Sequence, residues 1–330
     1  MHNGKARAFT NIALIKYWGK KDQQLILPMN NSLSLTLDAF YTETSVSFSK
    51  DYTKDTFYLD GQLQNEKATQ KVRHFLDLAR NQAGIFKYAT VCSQNFVPTA
   101  AGLASSASGL AALAGACNNA LKLDLSPKEL SRLARKGSGS ACRSIYGGFV
   151  EWEKGNSDQT SFAVPIASNH WEDELAMIFI LINDKTKEVP SRNGMQRTVD
   201  TSSYYDSWVK SADLDIKKAK DAITKNDFHA LGKVTESNCL KMHATTLAAS
   251  PPFTYWSPGS LKAMNKVQAM RQAGQNCYFT MDAGPNVKVL CRKKEVEDIY
   301  HELQKDFPAE QLVIAYAGKG IESLEMEVAK

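Results

Sequence analysis

A stretch of small residues at Pro98–Gly109 is the segment of the chain best suited to bind an anion. It lies between a predicted strand at 88–97 and an alanine- and leucine-rich predicted helix that ends near Leu121. Unpaired backbone N–H groups and the helix dipole favour negative charge at such a helix start. No Gly-Lys-Ser/Thr follows, so the segment is not a Walker A loop. A tightly packed, well-capped core helix is the alternative interpretation of the same residues.

Two further segments could take part in anion chemistry. Gly137–Ser144 combines flexible backbone and hydroxyls with Arg143, whose guanidinium suits bidentate recognition of carboxylate or phosphate. Asp282 precedes a Gly-Pro turn, where its carboxylate could serve as a base or orienting group beside a phosphoryl acceptor. Each has a plainer interpretation: a polar surface loop for the first and an Asx-type turn for the second. Two anion-binding loops in one domain suggest a ligand with more than one anionic group.

The elements that must position these segments alternate irregularly between strands and helices. Besides 88–97, strand patterns occur at 32–37, 42–48, 56–59, 147–152, 175–182, 276–281, 287–291 and 312–316. Besides the helix after the small-residue loop, helices are predicted at 66–83, 126–135, 212–224, 228–241, 260–273 and 295–305. This order favours two α+β domains over a regular βαβ series. A polar, turn-rich stretch at 184–193 places the boundary, with domains over 1–184 and 185–330.

Composition narrows the classes of function. The 330 residues include 40 Lys and Arg against 35 Asp and Glu, a net charge of +5, and 43% are hydrophobic, as in ordinary soluble proteins. The basic excess could indicate an anionic partner, but no run of five basic residues and no aromatic-basic RNA motif occurs. The longest apolar run, 175–182, is far shorter than the roughly 20 residues of a membrane helix. We therefore expect neither nucleic acid nor membrane as a partner.

The six cysteines show no CxxC motif and no zinc or disulfide spacing. Cys92, Cys117 and Cys291 lie in apolar segments and are expected to be buried. Reduced thiols are typical of a cytoplasmic protein, and the N-terminus lacks the pattern of a signal peptide.

Together these segments resemble the GHMP kinase superfamily and, within it, the mevalonate diphosphate decarboxylases. Pro98–Ser108 is similar to the superfamily's phosphate loop, and 282–286 lies in its third motif. Further matching segments are Asn11–Lys20, Gly137–Gly148, Met242–Thr246 and Ser250–Trp256. The resemblance runs in order along nearly the whole chain. Its Tyr-Trp-Gly-Lys and Gly-Ser-Gly-Ser-Ala-x-Arg-Ser segments are specific to the decarboxylases within the superfamily.

The resemblance implies a two-lobed α+β fold, with a ribosomal protein S5 domain 2-like N-terminal lobe, a ferredoxin-like C-terminal lobe and the site between them. It implies an ATP-dependent enzyme of the mevalonate pathway that phosphorylates the 3-hydroxyl of mevalonate 5-diphosphate. Loss of phosphate and CO₂ then gives isopentenyl diphosphate. The implied Mg²⁺ would be held largely by ATP phosphates and water, and from the protein at most by Ser106. A cytoplasmic homodimer of bacterial type is also implied.

The resemblance implies roles for individual residues. Asp282 would orient or deprotonate the 3-hydroxyl, Arg143 would hold the substrate carboxylate, and Ser106 would approach the transferred phosphoryl group. Lys187 would lie near the phosphates. The remaining substrate-binding positions are Tyr17, Lys20, Ser138, Ser140, Ser191 and Arg192. The ATP-binding positions are Ser93, Gly102, Ser105, Ser106, Ser108 and Lys71.

Three residues in matching segments, His243, Trp18 and Trp256, are expected to pack rather than to react. The main alternative function is a GHMP small-molecule kinase that phosphorylates without decarboxylation. A decarboxylase acting on the monophosphate is a related alternative, and a non-catalytic nucleic-acid binder is one from a different class.

Overall fold

The computed structural model of the protein describes residues 1–96, 106–182 and 189–326. Its α-helices are α1 (Glu66–Ala83), α2 (Ser106–Leu121), α3 (Pro127–Gly137), α4 (Ser191–Thr201), α5 (Tyr205–Thr224), α6 (Phe228–Leu247), α7 (Pro258–Gln272) and α8 (Val296–Gln304). Its strands are β1 (His2–Ile15), β2 (Lys20–Asp22), β3 (Leu27–Pro28), β4 (Ser32–Ser49), β5 (Thr56–Leu59), β6 (Gln62–Leu63), β7 (Tyr88–Phe96), β8 (Phe149–Glu153), β9 (Phe162–Pro165), β10 (Leu175–Ile180), β11 (Cys277–Met281), β12 (Val287–Arg292), β13 (Leu312–Tyr316) and β14 (Glu322–Leu324). None of these helices is long and apolar enough to cross a membrane.

Local sequence sets the ends of the helices that were easiest to predict. The Asn65 side chain accepts a hydrogen bond from the Ala68 amide at the start of α1, and Gly84 ends that helix with a left-handed φ of 65°. Ser126 and Glu129 form a capping box at the start of α3. These two helices are confirmed closely, whereas α5 begins before the predicted residue 212 and α6 continues beyond the predicted residue 241.

The first sheet has the strand order β14-β1-β4-β7-β5-β6, with β8 and β9 joined to it through β4. Its neighbours are antiparallel except for β5 and β7, which run parallel. One face packs under α1, α2 and α3 in an apolar core that includes Ala8, Val46 and Val91. Helix α2 lies across β1 and β4, so Ser106 at its start is held over the centre of this sheet.

Strand β1 is absent from the sequence predictions for a physical reason. Its inward residues near the start are Gly4, Ala6 and Ala8, which are too small to give a clear hydrophobic alternation. They are small because α2 lies close: a Cβ on Gly4 would overlap the Ala116 carbonyl oxygen. The predicted strands at 32–37 and 42–48 are also one strand, β4. Likewise, α4 begins inside the stretch predicted as a turn-rich boundary.

The second sheet has the order β11-β12-β10-β13 and is antiparallel throughout. One face packs against α7 and α8, and the other joins α5, α6 and the inner ends of β1 and β4 in a shared core. Strand β10 belongs to this second sheet although it precedes the predicted boundary at 184. An apolar run shows that a strand is buried, but it does not show which sheet the strand joins.

The two sheets are connected at more than one point. Strand β14 returns from the end of the second sheet to pair with β1, opposite Lys5–Arg7. The Tyr316 amide at the end of β13 donates to the Asp38 carboxylate in β4, 2.8 Å away. The cleft that holds the candidate site therefore lies between two sheets that share an apolar core.

The cysteines of the described residues are all free, in agreement with the sequence. Cys117 and Cys291 are buried, but Cys92 is exposed, so that expectation was wrong. Cys92 occupies an outward position of β7, between the buried residues Val91 and Ser93.

Candidate functional site

Asp282 lies at the junction of the two sheets, directly after β11. Lys16, directly after β1, places its Nζ 2.8 Å from Asp282 Oδ1, and Lys288 in β12 places its Nζ 3.0 Å from Asp282 Oδ2. Burial acts to raise the pKa of Asp282, but the two ammonium groups outweigh it and hold that pKa far below its usual range. The carboxylate keeps 39% of its side-chain surface accessible, so it can still meet a ligand.

The loop that carries Asp282 is tied to its surroundings. The Gly284 amide donates to the Asp282 carbonyl, 2.8 Å away, which makes a tight turn. The Ser260 hydroxyl at the start of α7 donates to the Pro285 carbonyl, and the Ile182 amide donates to Asn286 Oδ1. These bonds restrict the direction in which the Asp282 side chain can point.

Lys16 is held by its backbone as well as by its charge. Its amide donates to Asn238 Oδ1 in α6, 2.8 Å away, and its carbonyl accepts from Asn30 Nδ2, also at 2.8 Å. Asn238 in turn donates to the buried Asp215, which pairs with Lys241. Because β1 ends at Ile15, the backbone N–H and C=O of Lys16 have no strand partner, and the side chains of Asn238 and Asn30 bond them instead.

Arg143 lies on the other wall of the cleft, in a 3₁₀ helix over Gly139–Ile145, and its side chain is buried. Its Nε donates to Asn11 Oδ1 at 3.1 Å, and its Nη1 donates to Ser32 Oγ at 2.6 Å. Asn11 also donates to the Ser140 carbonyl, which fixes the loop beside the guanidinium. Burial lowers the pKa of Arg143, and the nearby side chains of Cys142, Asp282 and Tyr17 oppose that shift.

A second group of positive charges lies beside Tyr17. Burial, and next the charge of Arg192, lower the pKa of Lys20. Burial raises the pKa of Tyr17, while the guanidinium groups of Arg143 and Arg192 oppose the rise. The Tyr17 hydroxyl is buried and has no hydrogen-bond partner among the described residues. The structure thus brings these four predicted residues together in one basic patch.

Aromatic packing holds the backbone of this patch. Trp18 is buried against Tyr205 and Tyr255, and the Tyr205 hydroxyl donates to the Trp18 carbonyl, 2.7 Å away. Gly19 has a φ of 107°, and a Cβ there would overlap the Tyr205 hydroxyl. Trp18 therefore packs as expected, and Trp256 packs partly buried against the second sheet's core.

The predicted serines fall at different depths. Ser138 and Ser140 flank Gly139 at the start of the 3₁₀ helix and are partly accessible. Ser191 opens α4 directly before Arg192. These three lie on the elements that carry Arg143 and Arg192, so the predicted substrate-binding residues line one region.

The structure describes only some of the predicted nucleotide-binding residues. Ser106 opens α2 and is exposed at the helix N-terminus. The Ser108 and Ser93 hydroxyls are buried. Ser108 Oγ lies 2.8 Å from Thr42 Oγ1, and Ser93 Oγ lies 2.8 Å from Thr44 Oγ1. Lys71 is exposed on α1. The other predicted positions, Gly102, Ser105 and Lys187, lie outside the described residues.

Sequence reasoning missed two charges that bear directly on the site, Lys16 and Lys288. Lys16 ends an apolar run, and Lys288 interrupts the apolar strand Val-Lys-Val-Leu-Cys. A charged residue inside an apolar strand is the signal that could have found them. Asn11, Asn30 and Asn238 carry no such signal, because only the fold shows what they bond.

His243 packs as expected. It is buried on α6, and its ring contacts those of Tyr255 and Trp256. Burial, and next the charge of Lys16, lower its pKa to about 3. The imidazole is therefore neutral at ordinary pH.

No group of three or more His, Cys, Asp or Glu side chains that could hold a metal ion occurs in the described ranges. A magnesium ion that is bound mainly through phosphate oxygens fits this arrangement, because Mg²⁺ usually keeps water and substrate phosphates as ligands. The exposed N-terminus of α2 is a fitting place for those phosphates.

Comparison with known families covers almost the whole chain. Residues 8–163 match the family described as diphosphomevalonate decarboxylase-like N-terminal domain. Residues 176–329 match the mevalonate 5-diphosphate decarboxylase C-terminal domain. A diphosphomevalonate decarboxylase of Candida albicans is 37% identical over 323 residues, covering 93% of this chain and 89% of the relative.

Comparison with solved structures indicates the same family. A complex described as MDDEF with MVAPP, AMPPCP and magnesium has 63% sequence identity and a TM-score of 0.96, covering 98% of this chain and 99% of that chain. The mevalonate diphosphate decarboxylase from Enterococcus faecalis, described with a mevalonate diphosphate mediated ATP binding mechanism, has 62% identity and a TM-score of 0.95. It covers the same shares, 98% and 99%. The two-lobed α+β fold expected from the sequence is confirmed.

Proposed function

The chain belongs to the diphosphomevalonate decarboxylase family, and we propose that its cleft carries out the ATP-dependent decarboxylation of mevalonate 5-diphosphate. The observation that supports this most is a pair of fixed groups in one cleft: the carboxylate of Asp282, bonded to Lys16, and the buried guanidinium of Arg143, bonded to Asn11 and Ser32. The reaction needs two such groups: one beside the hydroxyl that accepts phosphate and one beside the carboxylate that leaves as CO₂.

The basic patch would bind the diphosphate of the substrate. Burial lowers the pKa of Lys20, the charge of Arg192 lowers it further, and an anion between the two cations would offset both effects. The buried Tyr17 hydroxyl would donate to a phosphate oxygen. Ser138, Ser140 and Ser191 supply further hydroxyl donors on the neighbouring elements.

With the diphosphate held there, the carboxylate end of the substrate would lie against Arg143. Because Asn11 and Ser32 already fix the guanidinium, its remaining N–H groups point in a set direction. A fixed donor holds the substrate carboxylate in the orientation from which the bond to C3 can break. The electrons of that bond form the new double bond as phosphate leaves C3.

Asp282 would accept a hydrogen bond from the 3-hydroxyl and aim its oxygen at the transferred phosphoryl group. Its low pKa makes it a weak base, so orientation is its larger contribution. Positive charge that develops at C3 during loss of phosphate would be stabilised by the same carboxylate. Magnesium, when bound with ATP, neutralises charge on the phosphates. Ser106, at the exposed start of α2, would meet those phosphates, and Lys187 is proposed to lie nearby.

The test is an assay that scores ADP and CO₂ from ATP and carboxyl-labelled mevalonate diphosphate. We expect equal amounts of both from the wild-type protein. Asp282→Asn should lower the rate by about 10²–10³-fold or more, the usual loss when one preorganised electrostatic group is removed. Substrate binding, measured by calorimetry, should change little. Asp306→Asn, which alters an aspartate paired with Lys266 away from the cleft, is the matched control.

Release of ADP without CO₂ would instead establish the kinase alternative. Near-normal turnover by Asp282→Asn would contradict the assignment of this carboxylate. A cytoplasmic homodimer, and a division of the chain near 184, also remain part of the proposal.

A further inference from the structure

Lys288 has no part in the chemistry assigned above, yet its side chain is only 4% exposed. On β12, Val287 and Val289 face α7 and α8. Lys288 points to the opposite face, which it shares with Leu290 and its cross-strand neighbour Phe179. A lysine thus occupies an inward position of an otherwise apolar strand.

Burying an ammonium group is unfavourable unless its charge is paired and its protons are bonded. Lys288 Nζ lies 3.0 Å from Asp282 Oδ2 and donates to the Asn286 carbonyl, 3.3 Å away. Asp282 is the one acidic partner that Lys288 has among the described residues. The placement of Lys288 is therefore accounted for by Asp282.

Lys16 alone would neutralise Asp282, so a second lysine must have another consequence. Lys16 occupies Oδ1 and Lys288 occupies Oδ2, which leaves the carboxylate little freedom to rotate about its own axis. The two lysines come from different sheets, Lys16 after β1 and Lys288 within β12. The orientation of Asp282 thus depends on both walls of the cleft.

We propose that Lys288 is a positioning residue, which acts with Lys16 to hold Asp282 as an oriented carboxylate facing the substrate hydroxyl. This inference rests on the proposed function, because it concerns the same cleft. The pair of lysines and one carboxylate carry a net charge of +1, which favours the approach of a phosphoryl group from ATP.

Removing Lys288 should change how Asp282 titrates. The charged or titratable groups that face Asp282 are Lys16 at the end of β1, Lys288 on β12, Arg143 on the 3₁₀ helix, and the neutral His243 and the Cys239 thiol on α6. Without Lys288, burial is opposed mainly by Lys16, so the carboxylate protonates at higher pH. Because the pKa of Asp282 lies far below its usual range in the wild type, an acid limb of kcat that reports this carboxylate should enter the accessible pH range only in the variant.

The test compares Lys288→Met, Lys288→Gln and Lys288→Arg, with Lys266→Met as control. Lys266 is also partly buried and acid-paired, to Glu302 and Asp306, but lies outside the cleft. We expect Lys288→Met to lower kcat about 10–100-fold with KM for mevalonate diphosphate changed less than about threefold. A loss of kcat at acid pH that the wild type does not show should accompany this fall. Lys288→Gln should behave like Lys288→Met, and Lys288→Arg should restore much of both properties.

A second readout does not use activity. The ¹³C carboxyl resonance of Asp282, assigned with Asp282→Asn, should titrate at higher pH in Lys288→Met than in the wild type. If Lys288→Met does not fold, Lys288→Gln against Lys288→Arg gives the same comparison. A wild-type kcat and acid limb in Lys288→Met would overturn the proposal, as would a Lys288→Arg variant as impaired as Lys288→Met. A wild-type protein that releases no CO₂ would refute the proposed function, and the NMR titration would still decide the role of Lys288.

Discussion

Charge is paired within the protein at one end of the cleft and is left unpaired at the other. At one end Asp282 is matched by two buried lysines at 2.8 and 3.0 Å, so its charge is compensated within the protein. At the other end Lys20 and Arg192 lie near each other, and the described residues give neither an ion-pair partner. A compensated charge keeps its position before any ligand arrives, whereas uncompensated charges of one sign gain stability only from a ligand.

This difference assigns separate tasks to the two ends. Substitutions at the compensated end should act mainly on kcat, because they disturb orientation. Substitutions at the uncompensated end should act mainly on KM, because they remove attraction for the substrate.

The largest effect expected from a change at the uncompensated end is on KM. Lys20→Met or Arg192→Met should raise KM for mevalonate diphosphate about 10–100-fold, since a hydrogen bond to a charged group contributes about 1.5–3 kcal/mol. The change in kcat should be much smaller. Steady-state kinetics with saturating ATP measures both constants.

Neighbouring residues provide the controls for this prediction. Lys21→Met alters the exposed lysine beside Lys20, and Arg197→Met alters a half-buried arginine on the same helix as Arg192 that packs over the Phe253 ring. Both should leave KM near the wild-type value. A fall in kcat with unchanged KM in Lys20→Met would remove the distinction between the two ends.

A smaller effect is expected at Asn238, which bonds the backbone of Lys16 at the compensated end. Asn238→Ala leaves the buried Lys16 amide without its acceptor and removes one donor to Asp215, which keeps Lys241, and this should cost about 1–3 kcal/mol of folding stability. The resulting shift of Lys16 should lower kcat about tenfold with little change in KM. Denaturant unfolding and kinetics at a temperature where the variant is folded measure the two effects.

Thr235→Val is the control on the same helix, because the buried Thr235 hydroxyl has no hydrogen-bond partner among the described residues. It should change neither stability nor kcat appreciably. A loss of stability in Asn238→Ala with wild-type kcat would show that Asn238 supports the fold but not the site.

The smallest effect concerns the protein without its substrate. Inorganic diphosphate at about 100 times its Kd should stabilise the folded protein by about 2.7 kcal/mol, and so raise Tm by a few degrees. Arg192→Met should lose most of this rise, and Lys288→Met should keep it. Differential scanning calorimetry at fixed ionic strength measures the shift, and an equal loss in both variants would contradict the division of tasks.

Much of the fold could be predicted where local chemistry decides the structure. Caps at Asn65 and Ser126 set helix starts, and apolar runs located the strands of the second sheet. Strand β1 could not be predicted in the same way, since Gly4 and its small neighbours are shaped by the nearness of α2. The assignment of β10 to the second sheet likewise depends on pairing between distant segments.

The residues of the site also differ in how well the sequence predicts them. Residues in recognisable motifs, such as Arg143 and Asp282, could be named from the sequence. Lys16 and Lys288 could not, because their importance comes from distances across two sheets. Asn238 was harder still to predict, because it bonds the backbone of Lys16, a residue 222 positions away in the sequence.

The return of β14 to β1 has a consequence for how the cleft can move. The chain passes from the first sheet into the second and then back, so β1 has β4 on one side and β14 on the other. The segment that leads into β14 is also bonded to the first sheet, because the Gly318 amide donates to the Thr36 carbonyl and the Ile321 amide donates to the Ile145 carbonyl. A movement of the second sheet is therefore transmitted to the first through the end of β13, and the two lobes should unfold as one cooperative unit.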